Sequence, residues 1–163
     1  MKNGIIILIV AALMSCTKED KKEITHLCPD FMIYYTQGSG WTGWRFEVNI
    51  MYPDTLSIHN RIDHPAYNQR SAVYKMDANE VDSLFEDVRN LSRIKLGNYG
   101  FGPDKPTDLP TTFIKYKLCG CSDSAGIYVP LEDEVPVELY TLTGRVMTIV
   151  MNHDPVIGHN VEQ

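Results

Sequence analysis

Cys119 and Cys121 flank Gly120, and Cys28 follows His26 at the same one-residue spacing. Thiols and an imidazole in that pattern admit three chemistries. Cys28 could close a disulfide with Cys119 or Cys121, the thiols could stay free, or the Cys-x-Cys pair could do redox or metal chemistry. In the metal case His26 and Cys28 would complete four ligands. Structural zinc motifs usually place more than one residue between cysteines, so no metal is expected. On a continued strand Cys119 and Cys121 would share the face of Lys115 and Lys117.

Gly38-Ser39-Gly40-Trp41-Thr42-Gly43 satisfies G-x-G-x-x-G. A dinucleotide site needs a helix next, whose N-terminus holds the pyrophosphate. A strictly alternating strand follows instead, so no nucleotide and no other cofactor is expected. The glycines suit a tight β-connection that needs positive φ. Gly38, Gly40, Trp41 and Gly43 are therefore the candidate binding turn, with Trp41 its exposed aromatic and Trp44 on the core side. His59, His64, His153 and His159 are scattered and read as solvated. No H-x-x-x-H and no G-x-S-x-G occurs, and no catalytic residue is assigned. Glu132-Asp133-Glu134 reads as a solvated loop before a helix N-terminus.

The elements that must position these residues follow from periodicity. Asp30 to Thr36 reads as a buried strand. Trp44, Phe46, Val48, Ile50 and Tyr52 alternate with Arg45, Glu47 and Asn49, and Pro53-Asp54 turns the chain into a partner strand bearing Leu56, Ile58 and Ile62 inward. Residues 63–71 read as loop, and Ala72 to Met76 as a short strand. Asp77 caps a helix with Glu80 at the capping-box position, and Val81, Leu84, Phe85, Val88 and Leu91 form its apolar stripe. Gly and Pro break residues 97–110. Thr111 to Leu118 and Ala125 to Leu131 make a second hairpin, with Ile114, Tyr116 and Leu118 facing Ile127, Val129 and Leu131. Pro136 opens a last helix to about Met151. Its inward line is Val137, Tyr140, Gly144, Met147 and Met151, widened by Leu139, Leu142, Val146 and Val150, and the tail from Asn152 frays. The expected fold is α+β: an antiparallel sheet of five to six strands with two helices on one face.

The N-terminus reads as an address. Lys2 precedes ten apolar residues, Ile5 to Met14, too few to span a bilayer as a helix but suited to a secretory signal. Leu13-Met14-Ser15-Cys16 resembles the lipobox of bacterial lipoproteins. That resemblance implies cleavage before Cys16, lipid on its thiol and acylation of the new amino terminus, enough chains for stable anchoring. The division is then signal peptide 1–15, lipidated Cys16 with a charged tether to residue 24, and one α+β domain over 25–163. Lys18, Glu19 and Asp20 resemble the signal that sends lipoproteins of Bacteroidota to the cell surface. The expected location is an outer membrane, on its surface or its periplasmic face. Without residues 1–15, 148 residues remain, and 14 basic residues meet 21 acidic ones, a formal net charge of −7. Phosphate-based nucleic-acid binding is excluded by that balance.

Tyr34-Tyr35 before the Gly-rich turn, the strand pair around Pro53-Asp54, Pro110 to Lys117, Ile127 to Pro130 and Glu138-Leu139-Tyr140 are together similar to a family of small Bacteroidota lipoproteins. That family is a domain of unknown function with a G-G-G-F-T-G-like turn. The resemblance spans about residues 30–151, departs from it at Ser39 and Trp41, and brings no catalytic residue. The expected function is a non-catalytic envelope domain. It would bind a protein or small-molecule partner and touch the membrane through the Cys16 lipid. The alternative is a thiol redox or metal-binding protein using Cys119 and Cys121.

Overall fold

Alternating apolar residues build the centre of the molecule. The computed structural model describes residues 28–39, 44–62, 69–100, 111–128 and 135–155. In chain order the elements are β1 (Met32–Ser39), β2 (Trp44–Met51), β3 (Thr55–Ile62), β4 (Arg70–Lys75), α1 (Ala78–Leu91), β5 (Asn98–Tyr99), β6 (Thr111–Leu118), β7 (Cys121–Tyr128) and α2 (Val137–His153). The strands form one seven-stranded sheet in the order β4-β3-β2-β1-β6-β7-β5. All pairs are antiparallel except β5 with β7, which is parallel. This is an α+β fold. It has one or two more strands than the five to six expected, because two-residue β5 forms inside a segment read as loop.

In β1 only Ile33 and Tyr35 are fully inward, so it is a one-sided strand and not a buried one. Phe46, Val48 and Ile50 of β2 and Leu56 and Ile58 of β3 join them, with Ile114 and Tyr116 of β6. One apolar cluster holds these residues together with the inward faces of both helices. Burial pushes the Tyr35 phenol up to about 12.

α1 forms as its sequence dictates. The Glu80 backbone N–H donates to Asp77 Oδ1 and the Asp77 N–H to Glu80 Oε2, each at 2.9 Å. That closes a capping box over two otherwise unpaired donors. Val81, Leu84, Phe85, Val88 and Leu91 are all buried, and Phe85 lies 5.5 Å from Phe31 between ring centroids.

The second hairpin differs from expectation. β7 begins at Cys121, not Ala125, after a two-residue turn in which Cys119 and Gly120 have φ of 48° and 80°. Positive φ at both positions is what a primed hairpin turn requires, and it matches the twist of the strands. Ile114 therefore pairs with Ala125 and Thr112 with Ile127, which makes Ala125 and Ile127 the inward residues of this strand. Val129 and Leu131 lie outside the described residues. Gly100, at φ +74°, approaches the Tyr128 carbonyl so closely that a Cβ would collide with it.

α2 is rotated relative to the expected orientation. Leu139, Leu142, Val146, Ile149 and Val150 are buried, whereas Val137 is 71% exposed and Tyr140 and Met151 are each 38% exposed. Two polar contacts to α1 accompany this rotation. Arg145 pairs with the buried Asp87, and His153 Nε2 lies 2.9 Å from Glu80 Oε2. Pro136 is the N-cap of the helix, not its first helical residue. The chain does not fray at Asn152: the helix continues to His153, and Asp154 beyond it is buried.

Candidate functional site

β1 and β2 are central strands, and the pair Ser39↔Trp44 closes their hairpin. Gly38 sits on β1 between Arg45 and Thr111 of its two neighbours. Gly40, Trp41 and Gly43 lie outside the described residues. Beside the turn, the outward face of the sheet carries Tyr34, Arg45, Glu47 and Phe113. Arg45 Nε is 2.7 Å from Glu47 Oε1, and its Nη2 donates to the Tyr34 hydroxyl at 3.5 Å. The Tyr34 ring meets Phe113 edge-on at 6.4 Å. Aromatic and charged groups therefore stand together on an open, half-exposed surface held by the three central strands. The sequence placed Arg45 and Glu47 outward. Tyr34 and Phe113 were missed there, although each is offset by one position from the core residues of its strand. Further along the same face His59 Nδ1 shares a hydrogen bond with Ser71 Oγ at 2.9 Å.

The cysteines occupy one end of the sheet. Cys28 is bonded to Cys119, their Cα atoms 4.8 Å apart, and Cys121 is a free, exposed thiol. Cys119 and Cys121 do not share the face of Lys115 and Lys117. Those lysines pair with Ser124 and Ser122, Cys121 pairs with Leu118 on the opposite side, and Cys119 belongs to the turn. Asp30 tightens this end by accepting the Gly120 backbone N–H at 2.8 Å. That hydrogen bond, with Lys117 3.6 Å away, holds the Asp30 carboxyl below its ordinary range. His26, Cys16, Lys18, Glu19 and Asp20 lie outside the described residues.

A third polar group gathers where α2 ends. Asp154 Oδ2 accepts the Tyr74 hydroxyl at 2.7 Å and meets Arg70 at 3.0 Å, while buried Oδ1 has no hydrogen-bond partner among the described residues. The hydrogen bond to Asp154 raises the Tyr74 phenol above its usual range, and burial adds to this. His153, expected to be solvated, lies 5.6 Å from Tyr74 between ring centroids, the two planes tilted by 44°, and bonds to the capping residue Glu80. The physical effect is a fastening of β4, α1 and α2. Sequence separations of 80 and 73 residues leave no local signal for it. His64 and His159 lie outside the described residues.

Among the described residues no group of three or more His, Cys, Asp or Glu side chains is arranged to hold a metal ion. No family model matches the chain, and no curated protein matches it.

Proposed function

We propose that the chain is a lipid-anchored protein of a bacterial envelope that works as a non-catalytic binding domain. Acyl groups on Cys16 hold it to an outer membrane, and Lys18, Glu19 and Asp20 direct it to the surface. The binding surface runs from the Gly38–Gly43 turn onto the outward sheet face beside it. The observation that carries this reading is the outward cluster of Tyr34, Arg45 and Phe113 on β1, β2 and β6, the middle strands of the sheet. Rigid strands remove the ordering cost of binding, and aromatic side chains supply contact area for little lost entropy. A disulfide suits an oxidising compartment, and Leu13-Met14-Ser15-Cys16 suits lipid attachment.

Two measurements test the two halves. Cys16→Ser is expected to abolish incorporation of labelled palmitate and to leave the precursor uncleaved. Label retained in that variant would refute anchoring through Cys16. Trp41→Ala is expected to leave the melting temperature within about 2 °C, since a contact-making surface residue adds little to the fold. The same variant should lose capture on an array of soluble glycans and peptides. A large fall in melting temperature would instead make Trp41 a packing residue.

A further inference from the structure

The two faces of the molecule carry opposite charge. Among the described residues, the outward face of the sheet bears Arg45, Lys75, Lys115 and Lys117 against one carboxylate, Glu47. The helices on the other face bear Glu80, Asp82, Glu86, Asp87 and Glu138 against Arg89 and Arg145. In a chain that is acidic as a whole, the open sheet face is thus the positive side. It attracts an anionic ligand, and the helical side repels one.

Hydrogen-bond donors converge there at Tyr34. Arg45 Nη2 donates to the Tyr34 hydroxyl at 3.5 Å, and the phenol's own proton has no acceptor among the described residues. Register sets the exposed Lys115 directly across from Tyr34 on β6, about 5 Å away along the sheet. A carboxylate is held by donors of these kinds, a polarised O–H and an ammonium. Glu47 already takes Arg45 Nε at 2.7 Å, which makes Lys115 the cation left for the ligand. We propose that this patch binds an acidic polysaccharide, with a sugar carboxylate meeting Lys115 and the Tyr34 hydroxyl while the ring lies against the Tyr34–Phe113 pair. The site presupposes that the outward face is the binding surface.

Two features favour a sugar over an acidic peptide. β1 is hydrogen-bonded to β2 on one side and to β6 on the other, so an extended peptide lying here finds no main chain to pair with. The face offers instead the short neutral side chains of Asn49, Thr36 and Ser124, beside two aromatic rings inclined at 62°. A sugar ring carries both complements, hydroxyls for the former and an apolar C–H face for the latter. Neighbouring strands lie about 4.8 Å apart, so β2, β1 and β6 together span about 10 Å, room for more than one linked ring.

The test is native electrophoresis of the full chain in mild detergent, through gels that contain a polysaccharide. Polygalacturonate, alginate and hyaluronate, all carboxylate polymers, are the probes. At least one should retard the chain, and less so as salt rises and screens the ion pair. Methyl-esterified polygalacturonate keeps the sugar without the charge and should bind at least about tenfold more weakly. Lys115→Gln should weaken binding about three- to fivefold, and Lys115→Glu, which reverses the charge, at least about tenfold. Tyr34→Phe keeps the ring, loses the donor and should cost about five- to tenfold. All three variants should melt as the parent does, since none touches the core. Retardation by none of the three polymers overturns the proposal. So does equal retardation by the ester, by polyglutamate or by dextran sulfate, which would assign the face to neutral sugars, acidic peptides or charge alone. A Lys115→Glu variant that binds like the parent overturns it as well. Capture of neutral glycans only would remove the acid site and leave the binding domain standing, whereas capture of no glycan or peptide would remove both.

Discussion

Alanine in place of Leu84 is expected to lower the stability of the folded chain by about 3–5 kcal/mol. Leu84 is completely buried, on the inward stripe of α1 between that helix and the sheet. Truncation removes apolar contacts and leaves a cavity that two anchored layers cannot close. The capping box holds the start of the helix, and the Asp87–Arg145 pair ties its middle to α2. A layer pinned in this way relaxes little, which places the cost towards the upper end of the range for such truncations. Urea denaturation checks it: the midpoint should fall with the slope unchanged, the signature of lost stability in an intact two-state fold. Phe85→Ala should behave alike, since its ring packs on Phe31. A loss below about 1 kcal/mol in both variants would mean that α1 does not seal the core in solution.

The second large effect is expected from the disulfide. Replacing Cys28 and Cys119 together by alanine should cost about 4–5 kcal/mol on the chain-entropy account. The bond closes a loop of 91 residues of sequence separation, from β1 through α1 to the far hairpin. Without it the unfolded chain regains that freedom, while the folded state changes little. The double substitution is the right variant because a single one would leave a thiol free to pair with Cys121. Comparison of denaturation midpoints for the parent and the variant reads the difference. A gap within about 1 kcal/mol would show that the segment around Cys28 contributes no constraint, with Asp30 and its contact to Gly120 holding this end instead.

Where a structural choice was local, it was legible in the residues. Asp77 and Glu80, followed by apolar residues at helical spacing, commit α1 to start, register and buried face, because caps and periodicity act over a few neighbours. The 44–52 alternation does the same for β2, since a one-residue slip would turn every apolar side chain to water. β7 was not legible over 121–124. Cys-Ser-Asp-Ser has no strand pattern, and it is extended because β6 supplies a ladder across the Cys119-Gly120 turn. The outward cluster of the candidate site was half legible: strand parity put Arg45 outside, but only the β1–β6 pairing brought Phe113 beside Tyr34.

Two further choices belonged to the tertiary structure alone. The sequence allowed Cys28 to meet Cys119 or Cys121, residues two positions apart, and register separated them by placing one in the turn and the other on the ladder. It also supplied α2 with two apolar lines of equal helical spacing. Periodicity cannot choose between them, because either satisfies a 3.6-residue repeat. Packing chose the line of Leu139, Leu142, Val146, Ile149 and Val150, whose side chains fill the layer above the sheet where Gly144 would leave a void. Arg145 and His153 then reach Asp87 and Glu80 from the same side. From the residues alone come the α+β class, the order of the main elements and the start of α1. The rotation of α2, the partner of Cys28 and the burial of Asp154 came from contacts between segments that only the folded chain brings together.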